Sequence, residues 1–245
     1  MTTLDVPPDV PLDVPVAILG GTFDPVHYGH LRLAAEVRDA LGLPEVRLVP
    51  AGDPPHRGAP EVSAADRVAM LELAVHEFPG LTIDTREIQR QGKSYTVLTL
   101  EELRDERPRS PLLLLLGADA FRGLASWHQW RRLFDLAHLV VAPRPGTTPA
   151  TDLPPALERE WRMRRTEDRS ALRSRLAGSI YVQPISAQPI SSTAIRAALA
   201  REPDAGPALA GLLPAAVLAY IRSRHLYLPP TNAPVEAAED RRRGT

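Results

Sequence analysis

VAILGGTFDPVHYGHLRLAAEVRDALG, residues 16–42, is the stretch whose reading decides the fold class. Val16–Leu19 is a short apolar run of the length and composition of a buried strand. Gly20 and Gly21 end it, and a turn through Thr22, Phe23, Asp24 and Pro25 follows. From about Gly29 the apolar residues take helical spacing. Leu33, Val37, Ala40 and Leu41 share one face, and Gly42 is a stop signal. A strand that passes through a glycine turn into a helix is the opening unit of an α/β fold. Glycine lets a ligand approach the backbone closely, and the helix start offers unpaired N–H groups and partial positive charge. The turn is therefore a corner suited to phosphate.

Working outward, further short apolar runs recur: VRLV from Val46, LTI from Leu81, LLLLL from Leu112, HLVV from His138 and SIYV from Ser179. Helical patterns separate most of them. Ser63, with Asp66 three residues on, reads as an N-cap ahead of a stripe of Leu71, Ala74, Val75 and Phe78. YTVLTLEELRDE and WHQWRRLFDLA are shorter helical candidates, and STAIRAALA and PAAVLAYIRSRHL close the pattern. The alternation predicts a doubly wound, Rossmann-like parallel sheet with helices on both faces and a small helical C-terminal part. Polar clusters fall after three of the strands: GGTFDPVHYGH after the first, GDPPHRG after the second and GAD after the fourth. Ligands on such sheets gather at the carboxyl ends of strands, so these clusters predict a single site.

The boundaries follow from composition. Residues 1–14, rich in proline and acid, read as a disordered leader, 15–228 as the folded domain and 229–245 as a disordered tail. Within the domain, about 145–178 reads as a charged, solvated insertion carrying a surface helix in LEREWRMRRTEDRSALRSRL. The chain has 245 residues, 44% of them hydrophobic, enough for a substantial core. Its formal net charge of −1 points to neither nucleic acid nor an anionic membrane as partner. Lys93 is the only lysine among the basic residues, which we read as base composition rather than function. The absence of cysteine excludes disulfides, thiolate catalysis and cysteine-bound zinc. No secretory signal opens the chain and no apolar run approaches ~20 residues, so a cytoplasmic protein is expected.

His27 and His30 are the ambiguous residues. Histidines three apart on a helix can share zinc, with His56 or Asp24 as a third ligand, although no H-E-x-x-H pattern is present. They can be structural, capping or packing at the helix start. They can also donate imidazole N–H groups to nucleotide phosphates. Neither a G-x-x-x-x-G-K-[ST] loop nor a G-x-G-x-x-G turn is present, which argues against a P-loop kinase or GTPase. Spacing alone leaves the three readings open.

GTFDPVHYGH resembles the signature loop of the HxGH-type nucleotidyltransferases, and ISSTAIR, Ile190–Arg196, is similar to their second signature, I-S-S-T-x-I-R. Around them, PPHR from Pro54, SYT from Ser94, GAD from Gly117, SWHQW from Ser126 and HLVVAPRPG from His138 resemble, in order, segments of the bacterial nicotinate-mononucleotide adenylyltransferases. The likeness runs from Val16 to Leu228 and is weakest over Pro145–Gly178.

That resemblance implies adenylyl transfer from ATP to nicotinate mononucleotide, giving nicotinate adenine dinucleotide and pyrophosphate in NAD biosynthesis. It implies His27, His30 and Arg196 as catalytic residues. ATP would be held by His27, His30 and Arg196, by Gly20, Gly21, Thr22 and Phe23 at the phosphate corner, by Ser191, Ser192 and Thr193 at a helix start, and by Gly117 and Asp119 near the ribose. The mononucleotide would stack on Trp127, its carboxylate on backbone N–H groups of Thr96 and His128 at helix starts, with His56 and Arg57 closing on its phosphate. Many relatives carry an aromatic residue where this chain has His128, which leaves its backbone contact but weakens a side-chain role. Mg²⁺ would arrive bound to ATP phosphates, with no dedicated protein ligand. ATP and nicotinate mononucleotide are the implied partners, without nucleic acid or membrane, and homo-oligomerisation stays open. The rivals are an adenylyltransferase for nicotinamide mononucleotide or another phosphate acceptor such as phosphopantetheine, a non-catalytic nucleotide sensor, and a zinc hydrolase.

Overall fold

Each expected apolar run forms a strand. In the computed structural model, which describes residues 12–54, 59–143, 149, 151–186, 190–201 and 209–228, these are β1 (Val16–Gly21), β2 (Val46–Pro50), β3 (Leu81–Ile83), β4 (Leu112–Gly117), β5 (His138–Ala142) and β7 (Ile180–Val182), with a two-residue β6 (Arg165–Thr166) between the last two. They form one seven-stranded sheet in the order β3-β2-β1-β4-β5-β7-β6, with every pair parallel. The order reverses between β1 and β4, where a doubly wound sheet opens a crevice at the strands' carboxyl ends.

Both faces of the sheet are covered, which is why the central strands are largely apolar rather than alternating. Leu113 and Leu115 face one core, and Leu112, Leu114 and Leu116 the other. The first core is completed by α1 (Tyr28–Leu41), α2 (Ala64–Val75), α9 (Ser192–Arg201) and α10 (Ala215–Ser223). The second takes α4 (Thr96–Glu106), α5 (Ala118–Arg122), α6 (Leu133–Leu136) and α7 (Pro155–Arg164). Short helices α3 (Arg86–Gln89) and α8 (Ala171–Ser174) fill the connections.

The local signals act as their chemistry requires. Ser63 Oγ accepts from the Asp66 N–H at 3.1 Å and opens α2. Gly42 takes the left-handed conformation (φ 59°) while Leu43 N–H closes back on the Arg38 carbonyl, so α1 ends in a Schellman-type turn. WHQWRRLFDLA departs from the single helix expected. Gln129 is left-handed, Trp130–Arg132 make one 3-10 turn, and only Leu133–Leu136 are α-helical.

The segment expected to be a solvated insertion is charged but belongs to the fold. Leu157, Trp161, Ala171 and Leu172 are buried, and Trp161 packs on Phe121 with ring centroids 5.7 Å apart. Arg165 and Thr166 pair with β7 and form the sheet's edge. Arg173 Nη2 donates to the carbonyls of Leu41 and Gly42, at 2.9 and 2.8 Å, and Arg169 to that of Ala40. Two arginines thus satisfy the acceptors left open at the end of α1. Of the leader, residues 1–11 lie outside the described part, while Asp13 N–H donates to the Arg109 carbonyl at 3.1 Å. The tail, 229–245, also lies outside it.

Candidate active site

The site is built on the turn between β1 and α1. Phe23 has positive φ (52°), a conformation a bulky residue adopts only when its surroundings hold it. Its ring is buried, and a Cβ on Gly21 would come within 3.0 Å of Phe23 Cζ, so glycine there seats the ring without displacing it. Gly20 differs: a Cβ there meets nothing within 4 Å, leaving open space over the end of β1.

His27 is the N-cap of α1, but its ring does not bond back to the helix. The ring is buried and stacks on His30, centroids 3.7 Å apart at 18°, with Phe23 edge-on to His30 at 5.0 Å. A Cβ on Gly29 would lie 3.0 Å from His27 Cε1 and Nδ1, so the glycine of the H-x-G-H pattern makes room for the first imidazole. Burial lowers the His27 pKa from its ordinary 6.5 to about 4, against a smaller opposing contact with its own backbone. The ring is therefore neutral at pH 7, and its buried Nδ1 has no hydrogen-bond partner among the described residues. An unpaired buried polar atom is costly unless a ligand completes it.

The second signature arrives from the far side of the sequence. Ser192, the first residue of α9, donates through Oγ to the Pro25 carbonyl at 3.0 Å. Arg196, one turn on, donates to the Asp24 carbonyl at 2.8 Å and pairs with Glu61 at 2.5 Å. Ser191 and Thr193 are exposed beside them. The two motifs, separated by about 160 residues, thus meet at residues 24 and 25.

The sequence reading missed the supports beneath this loop. Asp24 was weighed only as a third zinc ligand, yet both its oxygens face protein donors. Tyr227 Oη donates to Oδ1 at 2.7 Å and Glu61 N–H to Oδ2 at 2.8 Å. Buried Arg67 donates to the Thr22 carbonyl at 2.8 Å. Among the described residues no three His, Cys, Asp or Glu side chains converge as a cation site. The only local signal was a polar residue at a helical position otherwise read as core, as with Arg67 in α2.

A cleft of about 360 Å³ opens at the β1–β4 switch point. Gly20, Gly21, Thr22, Gly117 and Asp119 line one part of it, and Thr96, Trp127 and His128 another. The histidine pair and α9 are not in its lining and adjoin it through Thr22–Pro25. Gly117 is the N-cap of α5, with open space where a Cβ would sit, and Asp119, largely exposed, is ion-paired with Arg122. Trp127 is half-buried at the end of a 3-10 turn, packed against the second core. Thr96 begins α4, where first-turn N–H groups have no acceptor within the helix. His128 is not at a helix start, contrary to expectation. It sits in the turn before Gln129, and its exposed ring leans on Tyr95 with centroids 4.3 Å apart. The helix-dipole argument for an anion therefore applies to Thr96 alone. His56 and Arg57 lie outside the described residues.

Comparison with known proteins agrees with this architecture. Residues 18–198 match the cytidylyltransferase-like family. A probable nicotinate-nucleotide adenylyltransferase of Laribacter hongkongensis is 50% identical over 215 residues, covering 87% of this chain and 94% of the relative. One from Acidithiobacillus ferrooxidans is 46% identical over 215 residues, covering 88% and 96%. The solved structure of Plasmodium falciparum nicotinic acid mononucleotide adenylyltransferase complexed with NaAD superposes with a TM-score of 0.65 over 88% of this chain and 98% of that one, at 17% identity, a likeness of fold. Among the described residues no helix is long and apolar enough to cross a membrane. By sequence across nearly the full length of its relatives, the chain belongs to the nicotinate-nucleotide adenylyltransferases.

Proposed function

We propose that the protein transfers the adenylyl group of ATP to nicotinate mononucleotide. The observation that carries the reading is the meeting of the two signatures: Ser192 and Arg196 bond to the backbone of the loop that also holds His27 and His30. A phosphate oxygen of the mononucleotide attacks the α-phosphorus of ATP. The bond to the bridging oxygen breaks, and pyrophosphate leaves with its electron pair. Such a transfer needs in-line placement and charge stabilisation rather than a covalent nucleophile.

In this reading His30 donates to the α-phosphate as charge builds there, and neutral His27 donates beside it. Arg196 is the cation for the β- and γ-phosphates, and it exchanges Glu61 for them. The exposed Ser191 and Thr193, with Ser192, supply hydroxyls and helix-start amides. The backbone from Gly20 to Phe23 lines the phosphate corner, with Gly117 and Asp119 at the ribose. Trp127 stacks on the pyridine, worth roughly 0.5–1.5 kcal/mol beyond area burial. Its carboxylate takes N–H groups of Thr96 and His128, and His56 with Arg57 meets the mononucleotide phosphate. The donors around the loop are imidazoles, hydroxyls and a guanidinium, a set that suits phosphate oxygens. Mg²⁺, held by ATP phosphate oxygens rather than by these residues, would neutralise part of the phosphates' charge. A cytoplasmic location fits the reading.

Pyrophosphate release with ATP and either nicotinate or nicotinamide mononucleotide tests the proposal. Faster turnover of the acid is expected. A clear preference for the amide, turnover of phosphopantetheine alone, or ATP binding without release replaces the reading with the corresponding rival.

A further inference from the structure

Glu87 belongs to none of the recognised motifs, yet it is a buried carboxyl group in the cleft wall. Its Oε1 accepts from Thr99 Oγ1 at 2.6 Å, inside α4, and the Ser94 side chain lies close enough to pull its pKa down. Ser94 Oγ in turn accepts from the N–H groups of Gly52 and Asp53, at 2.9 and 3.2 Å, while Ser94 N–H donates to the Asp53 carbonyl. A serine hydroxyl has one proton and two lone pairs. With both lone pairs taken by the loop after β2, its proton is left to turn toward the Glu87 carboxyl. The backbone of α3 is equally tight against that loop, since a Cβ on Gly52 would lie 2.3 Å from the Glu87 carbonyl oxygen. Ala51 and Pro54 on one side and Ser94, Tyr95 and Thr96 on the other all line the cleft. Glu87 therefore touches both strips of its wall, through its side chain at Thr99 and its backbone at Gly52.

We infer that Glu87 is a positioning residue for the mononucleotide, fixing the loop after β2 and the start of α4 at one separation through Ser94 and Thr99. This rests on the reading of the cleft as the mononucleotide site. The nearby charges are Arg90, which also donates to Thr99 and pairs with Glu102, and Glu102 itself. Burial raises the carboxyl above its usual range, with Thr99, Arg90 and Ser94 pulling against it. A group held by this many partners has little freedom to reorient.

The test is steady-state kinetics on full-length wild type, Glu87→Gln, Ser94→Ala and the double variant, with both pyridine mononucleotides. Glu87→Gln keeps the shape but replaces an acceptor with a donor. It should raise KM for the mononucleotide about tenfold while KM for ATP and kcat change less than about twofold. Ser94→Ala should show the same split, and the double variant should be no worse than the poorer single one, since the residues act as one chain. The split is measured with whichever mononucleotide the wild type turns over, so a preference for the amide corrects the proposed substrate without touching Glu87. Parallel rises in both KM values, an unchanged mononucleotide KM, or additive effects in folded variants overturn the positioning role. So does a wild type that uses neither mononucleotide. If Glu87→Gln fails to fold, Ser94→Ala decides alone by the same split.

Discussion

His30 carries the sharpest consequence at the scale of single residues. It stacks against His27, which burial keeps neutral, and Phe23 packs on its edge, so the ring is oriented without contributing a large share of the core. His30→Ala should therefore lower kcat by ~100-fold or more, as loss of a transition-state donor does, while the thermal midpoint changes little. Near-wild-type turnover in a folded variant would remove His30 from the mechanism. Both histidines could be found in the sequence because they stand beside glycines in a short motif. Their inequality could not. Gly29 does not hold the backbone open to a ligand, since the space it leaves is filled by His27 itself. Of the glycines lining the cleft, Gly20 and Gly117 are the ones whose Cβ positions are empty.

Among the elements, those legible in the sequence were the ones that repeat a simple physical pattern. β1, β4 and β5 are near-continuous apolar runs, and β2 departs only at partly buried Arg47, because both faces of the sheet are covered. The segment expected to be a solvated insertion, about 145–178, belongs to the fold in its described part, which its sparse apolar residues and many arginines conceal. Those arginines bond to carbonyls at the end of α1 instead of facing only water. Arg104 is a second case. It sits buried in α4 and donates to the carbonyls of Ser110, Leu136 and Leu176, at 2.7, 2.8 and 3.1 Å, with no carboxylate among these partners. Burial lowers its pKa, but an arginine stays charged at any working pH. One guanidinium thus ties α4, the end of α6 and the chain ahead of β7. Arg104→Met fills similar space and leaves those acceptors unpaired. We expect a loss of about 3 kcal/mol in urea unfolding, with KM values near wild type in the folded fraction. An unchanged midpoint would show that water replaces the guanidinium.

Over the whole molecule, the least legible feature is the tie between chain ends. Tyr227 bonds to Asp24 across 203 residues, and no local periodicity encodes such a pair. The same holds for His138, which begins β5 fully buried. Its Nδ1 accepts from the Ser179 N–H at 3.1 Å and its Nε2 faces the Arg175 carbonyl at 2.9 Å, an arrangement only the neutral ring satisfies. Burial lowers its pKa, as it lowers that of His27 to about 4, with Arg104 and Arg175 adding repulsion at His138. For a histidine whose folded pKa lies below 6.5, the unfolded chain binds the proton first. Stability is then complete above about pH 6.5 and declines as pH falls toward 4. His27 alone contributes a loss of about 2 kcal/mol between pH 7.5 and pH 5, His138 adding to it. Asp66, lowered by Ser63 and Tyr220, acts only further into acid, below its ordinary 3.8. Glu87 works in the opposite sense: its raised carboxyl favours the folded state as pH falls and offsets part of the loss. Urea midpoints at the two pH values should therefore fall toward acid in the wild type and fall more steeply in Glu87→Gln. Equal midpoints at pH 7.5 and pH 5 in both proteins would mean that neither histidine is held neutral by burial.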